Sequence, residues 1–170
     1  MNERVCTDIQ IPDDVSNICA NAFLMCSWLT SVSFPDSVKK IGEDAFCGCK
    51  GLKIVALPFG VKTVGGEAFS SCTSLESIEI PSSVSEIGRY AFRGCDSLKK
   101  VFVDAGESGR IRYLLAESGV DVEGIDFIEG ESRTPPDGRY RDEIDGVVWS
   151  YLIHDGEACV GGGEQAVSVY

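Results

Sequence analysis

Cysteine is the residue type in this chain with the widest chemical potential, because a thiolate can bind zinc or act as a nucleophile. The sequence contains 8 cysteines in 170 residues. A zinc site needs ligands that converge, as two C-x2-C pairs do. The closest pair here, Cys47 and Cys49, has the C-x-C spacing, which is weak evidence for a metal or redox motif. Four cysteines instead recur every 23 residues: Cys26, Cys49, Cys72 and Cys95. Such a column points its sulfurs in parallel, so we interpret these thiols as small buried core side chains.

The remaining candidates for catalysis are isolated. The single histidine, His154, is predicted to lie in a solvated turn, and a nucleophile pair with Cys159 would lack a third group to orient it. The run Gly161-Gly162-Gly163 lacks the Lys and Ser/Thr of a phosphate-binding loop, so it is predicted to be a flexible turn. The sequence therefore predicts no catalytic residue, no cofactor-binding residue and no metal ligand, and we expect a protein that is not an enzyme.

Charge and hydropathy exclude further classes of function. The formal net charge is -12, and residues 104–170 hold 15 acidic against 5 basic side chains. This excess argues against a nucleic-acid partner, which needs clustered Lys and Arg. It suits a basic partner, although we favour the simpler interpretation of a solvated surface. No apolar run of about 18 residues occurs, so membrane insertion is not expected. The start of the chain, Met1 to Arg4, has no signal-peptide pattern.

An internal repeat of 23 residues organises most of the chain. The repeated positions include Pro12, Pro35, Pro58 and Pro81; Phe23, Phe46, Phe69 and Phe92; and Leu29, Leu52, Leu75 and Leu98. In each unit the Leu-x-x-Val-x-Phe pattern, as in residues 29–34, predicts a strand, and the following Pro ends it. Gly42 marks a bend, and residues 43–46 are predicted to form a short helical turn. Because one unit cannot bury its own apolar face, stacked units must cover one another.

These features predict an α/β repeat: a solenoid with five short parallel strands on one face and short helical turns on the other. The combination Ile-Pro-x-x-Val-x-x-Ile-Gly-x-x-Ala-Phe-x-x-Cys-x-x-Leu, best preserved in residues 80–98, resembles the BspA-like family of leucine-rich repeat proteins. The resemblance covers about residues 6–103. It implies the leucine-rich-repeat fold, a cell-surface or secreted location, and adhesion to protein ligands such as host matrix or serum proteins.

The repeat stops after Val103, and the rest of the chain follows other patterns. We expect the domain organisation to be a repeat array of about four and a half units (1–103), a capping helix and strand (104–128), a linker (129–138) and a β-hairpin extension (139–170). The helix is predicted from Glu107 to Ser118, with Gly119 ending it. The hairpin is predicted from strands 147–153 and 158–160. It resembles the lead-in to a further repeat block, and both ends of the chain look cut from a longer protein.

Binding is expected on the strand face, where side chains between the inward ones point outward. The predicted protein-binding residues are Ser31, Ser33, Lys53, Ala56, Glu76, Glu79, Lys99, Lys100 and Phe102. Phe102 beside two lysines is the best apolar anchor, although a single exposed apolar residue is also ordinary. Trp149 and Tyr151 could form a second patch, but cross-strand packing in the hairpin is preferred. We therefore predict a non-enzymatic protein-interaction and adhesion module of a larger protein. The alternative is a structural spacer that self-associates through an uncovered coil end.

Overall fold

Successive coils of 23 residues wind one above the other. The computed structural model describes residues 7–130 in full and, beyond them, the backbone of residues 140–144, 147–154, 157–160 and 167–168. In chain order the coils contain β1 (Asp8–Gln10), β2 (Asn17–Ile18), β3 (Ser31–Ser33), β4 (Lys40–Ile41), β5 (Ile54–Ala56), β6 (Thr63–Val64), β7 (Ser77–Ile80), β8 (Glu86–Ile87) and β9 (Lys100–Asp104). We call residues 12–34, 35–57, 58–80 and 81–103 the first to fourth coils. The strands of successive coils are parallel, as the sequence predicted for a solenoid.

The predicted strand face is present, but it is not one continuous sheet of five strands. Strands β1 and β3 pair with each other, and β5, β7 and β9 pair in a separate ladder on the same face. All of these pairs are parallel and in register, as in Val55 opposite Ile78. No ladder joins β3 to β5 in the part of the chain described. The break coincides with Phe34, whose ring packs edge-on against that of Phe46 with 5.6 Å between the ring centroids. The equivalent positions of the next two coils hold Leu57 and Ile80.

A second sheet runs along another side of the coils and was not predicted. It consists of the two-residue strands β2, β4, β6 and β8, which pair in parallel in that order. Its inward residues, such as Ile41, Val64 and Ile87, are buried. The preceding Pro-x-x-Val turns bring the chain into this sheet, since Val38 and Val61 N–H groups donate to Pro35 and Pro58 carbonyls.

The prediction of short helical turns is wrong. Residues 43–48 form a series of tight turns, and the backbone at Asp44 and Gly48 has φ of +54° and +74°, which a right-handed helix cannot accommodate. Glu67 and Tyr90 repeat this conformation with φ of +52° and +62°. Alternate N–H groups thereby point to the next coil instead of back along the chain. Phe46, for example, donates to the Ala68 carbonyl at 2.7 Å.

The core is a set of columns that runs through all the coils. Phe23, Phe46, Phe69 and Phe92 stack with ring centroids 4.9, 5.2 and 5.4 Å apart and nearly parallel ring planes. Val, Ile, Leu and Cys columns flank the rings and are almost completely buried in the second and third coils. Each coil therefore buries its apolar residues mainly against its neighbours, as stacked repeats require.

Helix α1 (Ser108–Glu117) follows the fourth coil and lies within one residue of the predicted helix at each end. Ile111 and Leu115 are buried, and Gly119 ends the helix with φ of +92°. The Arg110 guanidinium donates to the Val84 and Ser82 carbonyls, at 2.6 and 3.0 Å. Strand β10 (Asp126–Gly130) then adds to β9 in parallel, with Phe127 opposite Val101. Helix and strand together lie against the last coil.

The chain beyond residue 139 contains a separate antiparallel sheet. Its strands are β11 (Tyr140–Ile144), β12 (Val147–His154), β13 (Glu157–Val160) and β14 (Val167–Ser168), with β12 between β11 on one edge and β13 and β14 on the other. His154 and Glu157 pair with each other at the ends of β12 and β13, so each strand extends one residue beyond its predicted bound into the predicted turn of residues 154–157. The N-terminal residues 1–6, residues 131–138 of the predicted linker and Gly161 to Gly163 lie outside the described residues, whereas Glu129 and Gly130, the first two residues of that linker, belong to β10. The domain boundaries stay a prediction.

Candidate functional site: the strand face

The side chains that point outward from β1, β3, β5, β7, β9 and β10 form what we call the strand face. Within each of the two ladders, pairing fixes the positions of these side chains, because each strand places one residue beside the equivalent residue of its neighbour. Of the predicted binding residues, Ser31, Ser33, Lys53, Glu76 and Lys99 are exposed, and Ala56 and Lys100 are half-buried. The structure therefore brings most of the predicted set onto one surface.

Glu79 and Phe102 are buried, and the expectation that they are exposed is wrong. Glu79 is 5% exposed and Phe102 is 8% exposed. Glu79 stands between Ala56 and Phe102 in the strand register, and Phe102 stands between Glu79 and Ile128 of β10. Because Phe102 is buried, a partner cannot contact it directly as an anchor. The accessible part of the strand face consists of the residues that surround Glu79 and Phe102.

The accessible part of the strand face is dominated by a row of charged side chains just before the strands. Lys53, Glu76 and Lys99 occupy the same position in consecutive coils and are all exposed. The backbone beneath them is continuous, since the Glu76 N–H donates to the Lys53 carbonyl at 2.8 Å and the Lys99 N–H to the Glu76 carbonyl at 3.0 Å. Adjacent strands lie about 4.8 Å apart. We call Lys53, Glu76 and Lys99 the charged ridge, a rigidly spaced pattern of alternating sign.

The first part of the strand face is polar and includes residues that the sequence analysis missed. Asp8 and Gln10 of β1 are exposed beside Ser31 and Ser33 of β3. The Asp8 carboxylate accepts hydrogen bonds from the Ser31 hydroxyl at 2.8 Å and the Thr30 hydroxyl at 3.1 Å. The repeat in the sequence could have revealed Asp8 as a residue of this face, because Asp8 precedes Ser31 by one repeat length. The face thus passes from hydroxyl and carboxylate groups to the charged ridge.

Of the four periodic cysteines, Cys49 and Cys72 are buried in the core, as predicted, whereas Cys26 and Cys95 are half-buried against it. Three of the thiols donate to a carbonyl of the preceding coil: Cys49 to Phe23, Cys72 to Phe46 and Cys95 to Phe69, at 3.1 to 3.2 Å. Burial raises the pKa of Cys49 and of Cys95 to about 12, and it raises the pKa of Cys72 further in the same direction. These thiols therefore stay protonated and serve as hydrogen-bonding core residues.

We expect the core thiols to resist alkylation in the folded protein. At pH 8.5, iodoacetamide should modify exposed Cys19 while Cys49 and Cys72 stay unmodified, because a thiol pKa near 12 lowers the thiolate fraction about a thousandfold relative to an ordinary thiol. Peptide mass spectrometry after timed quenching measures each site, and the same reaction in urea is the control. Equal rates at Cys19 and Cys72 without denaturant would contradict the buried column.

Within the described residues no group of three or more His, Cys, Asp or Glu side chains is placed to hold a metal ion. The helices of that same part of the chain include none long and apolar enough to cross a membrane.

Comparison with known proteins places this geometry in a family. Residues 1–111 match the BspA type leucine rich repeat region in six copies. A leucine-rich repeat protein from Bacteroides ovatus is similar in structure, with a TM-score of 0.60, 34% identity, and coverage of 74% of this chain and 30% of that one. A leucine rich cell surface protein from Faecalibacterium prausnitzii gives a TM-score of 0.50 at 31% identity, covering 64% and 34%. A leucine-rich repeat protein from Eubacterium ventriosum shares the fold at 22% identity, with a TM-score of 0.56 and coverage of 74% and 33%.

The chain belongs to the BspA-type leucine-rich repeat family. It spans about a third of the length of the solved structures that it resembles. None of the curated proteins matches its sequence. Leucine-rich repeat proteins generally act as protein-interaction modules.

Proposed function

We propose that this chain is a non-enzymatic adhesion module of a larger surface or secreted protein, and that it binds a protein ligand through the strand face. The charged ridge carries the proposal. Its three side chains project from a backbone fixed by hydrogen bonds between coils, so no ordering of the backbone is needed when they pair with a ligand. The core columns stay apolar from coil to coil, whereas the ridge changes sign at every step, as a recognition surface can.

The proposed location and ligand class rest on the relatives. The Faecalibacterium prausnitzii neighbour is described as a cell surface protein, and resemblance to the BspA-type family favours host matrix or serum proteins as ligands. A ligand that fits the ridge presents acidic, basic and acidic groups in sequence, opposite Lys53, Glu76 and Lys99 respectively.

The test is binding of the immobilised chain to a panel of matrix and serum proteins by biolayer interferometry. The variant Lys53→Glu, Glu76→Lys, Lys99→Glu reverses the ridge. We expect it to weaken any saturable binding at least tenfold, about 1.4 kcal/mol, because each charge pair becomes repulsive. Binding to the unsubstituted chain should also weaken with added salt.

A matched variant on the second sheet serves as the control. Lys40→Glu, Lys62→Glu, Glu86→Lys makes the same net change of charge at exposed positions in β4, just before β6 and in β8, and it should leave binding unchanged. Equal loss in both variants would show that overall charge, and not the strand face, determines binding. Absence of binding by the folded chain would instead favour the structural-spacer alternative.

A further inference from the structure

Two arginines of the fourth coil pack on one tyrosine ring. The guanidinium carbon of Arg89 lies 4.6 Å from the centroid of the Tyr90 ring, and that of Arg93 lies 5.2 Å from it. Both arginines are exposed, and Tyr90 is half-buried. At these distances each guanidinium is attracted to the aromatic ring. We call these three residues the Arg-Tyr-Arg cluster.

The repeat does not require these residue types. The equivalent positions of the first three coils hold Ala20, Glu43 and Gly66 for Arg89; Asn21, Asp44 and Glu67 for Tyr90; and Leu24, Cys47 and Ser70 for Arg93. Tyr90 has φ of +62°, a backbone conformation that Asn and Asp adopt more readily than a bulky aromatic residue. An outlier of this kind points to a role beyond local folding.

The surrounding structure holds the ring of the cluster in place. The Tyr90 N–H donates to the Ser118 carbonyl at 2.6 Å, and the Arg93 N–H donates to the Tyr90 carbonyl at 3.0 Å. The ring lies beside the end of α1, since a Cβ added to Gly119 would be 3.2 Å from the Tyr90 Cδ1 atom. The two guanidinium groups therefore pack on a fixed surface, which lowers the cost of ordering them when a ligand binds.

The guanidinium groups of the cluster keep their hydrogen-bond donors available. Stacking uses the face of a guanidinium, whereas its N–H donors point outward in its plane, in the fork that matches a carboxylate. Arg110 and Arg112 direct such donors to backbone carbonyls. Within residues 7–130 the side chains of Arg89 and Arg93 form no hydrogen bond and no ion pair. Two adjacent arginines whose donors remain available in this way favour an anionic ligand.

The charges around the cluster limit the length of that anion. On the side of the preceding coils, the equivalent turns carry Glu67, Asp44 and Glu43. On the other side, Glu117 and Asp121 are exposed at the end of α1 and just after it. A long polyanion, such as a nucleic acid or a sulfated polysaccharide, would extend past the arginines and be repelled by these carboxylates. A protein segment with a short acidic run avoids this repulsion.

We propose that the Arg-Tyr-Arg cluster is a second binding site, which takes an acidic segment of a protein that carries two neighbouring carboxylates. Each guanidinium donates two parallel N–H···O bonds to one carboxylate, as arginine clusters do in the recognition of acidic motifs. The Tyr90 ring keeps the two guanidinium groups close together. This site lies on the turns and not on the strand face, and it does not depend on the adhesion function proposed above.

The probe is an acetylated and amidated Ser-Glu-Ser-Glu-Ser peptide, titrated into the isotopically labelled chain at low ionic strength. The side-chain Nε–H resonances of Arg89 and Arg93 report on the two guanidinium groups. We expect both resonances to shift saturably with the same Kd, and added salt should raise that Kd. The matched peptide with glutamine in place of both glutamates should cause no saturable shift, because it lacks the carboxylates.

Two variants separate the geometry of the cluster from its charge, with Kd taken from the backbone amide resonances of residues 89–94. Arg89→Lys, Arg93→Lys keeps both charges but removes the forked donors, so the peptide should bind about tenfold more weakly. Tyr90→Asn introduces the residue that the first coil carries with φ of +60°, so the turn should fold, and loss of the ring should weaken binding severalfold. The control Lys40→Gln, Lys62→Gln removes two exposed charges elsewhere and should leave Kd unchanged.

The titration of the unsubstituted chain tests the proposal even if a variant fails to fold. The proposal is overturned if the glutamate peptide shifts neither arginine resonance, or if the glutamine peptide binds equally well. Equal Kd for the folded lysine variant and the unsubstituted chain would also overturn it, since charge alone would then determine binding. A sulfated oligosaccharide or a short single-stranded DNA that binds at the same resonances more tightly than the peptide would overturn it too, by making a polyanion the occupant.

Discussion

Replacing Phe69 with alanine should lower the free energy of unfolding by about 3–5 kcal/mol, the range for removal of a buried aromatic side chain. Phe69 is fully buried and stacks on both Phe46 and Phe92, at 5.2 and 5.4 Å. Its loss opens a cavity between two pairs of coils at once, because each coil is stabilised by its neighbours. Urea unfolding followed by circular dichroism measures the change.

Phe23→Ala is the matched control for this prediction. Phe23 is half-buried and stacks on one ring, Phe46, at 4.9 Å. Its removal should cost less than half as much, because water already reaches the position and one contact is lost instead of two. Equal losses at Phe23 and Phe69 would contradict the account of a column whose stability comes from contacts between coils.

Gly65→Ala should destabilise the protein by about 3 kcal/mol, the upper part of the range for overpacking a core. An added Cβ would lie 2.6 Å from both the Glu43 nitrogen and the Gly42 carbonyl carbon. These are backbone atoms of the preceding coil, so no side chain can move aside. The coils could separate only by stretching the hydrogen bond from the Gly65 N–H to the Ile41 carbonyl, now 2.8 Å. Thermal unfolding by calorimetry gives the effect.

Gly109→Ala provides the opposite expectation in the same chain. Gly109 lies in α1, and an added Cβ would meet no atom within 4 Å. Alanine should stabilise the helix there by about 0.5 kcal/mol, since it loses less backbone freedom than glycine. If both glycine substitutions had the same sign, close contact between coils would not be what restricts position 65.

Sequence periodicity predicted the strands and the core because inward side chains must repeat wherever coils stack. Phe46, Cys72 and Leu75 were therefore placed correctly. The same periodicity could not predict the turns. Short polar and acidic residues such as Asp44 and Glu67 are compatible with a helical turn, and their positive φ angles follow from hydrogen bonds to the next coil, which no local pattern encodes. The two-residue strands of the second sheet are likewise too short for an alternating pattern to reveal.

The candidate site was predicted less completely than the fold. Alternation along β9 correctly placed Phe102 on the outward side, but its burial depends on neighbours across the sheet. One of them, Ile128, belongs to β10, where Asp126 pairs with Lys100 outside the 23-residue period. Lys53, Glu76 and Lys99 were correctly expected to be exposed, since they precede the strands and have no inward role.

The most direct test of the strand-face proposal is a lysine footprint of the chain bound to a ligand identified in the binding panel. Lys53 and Lys99 lie on the charged ridge, and Lys40 and Lys62 are also exposed, in β4 and just before β6 of the second sheet. Acetylation followed by peptide mass spectrometry compares the four labelling rates with and without ligand. We predict protection of Lys53 and Lys99 and unchanged labelling of Lys40 and Lys62. Protection of Lys40 and Lys62, with the ridge lysines labelled as in the free chain, would contradict the proposal.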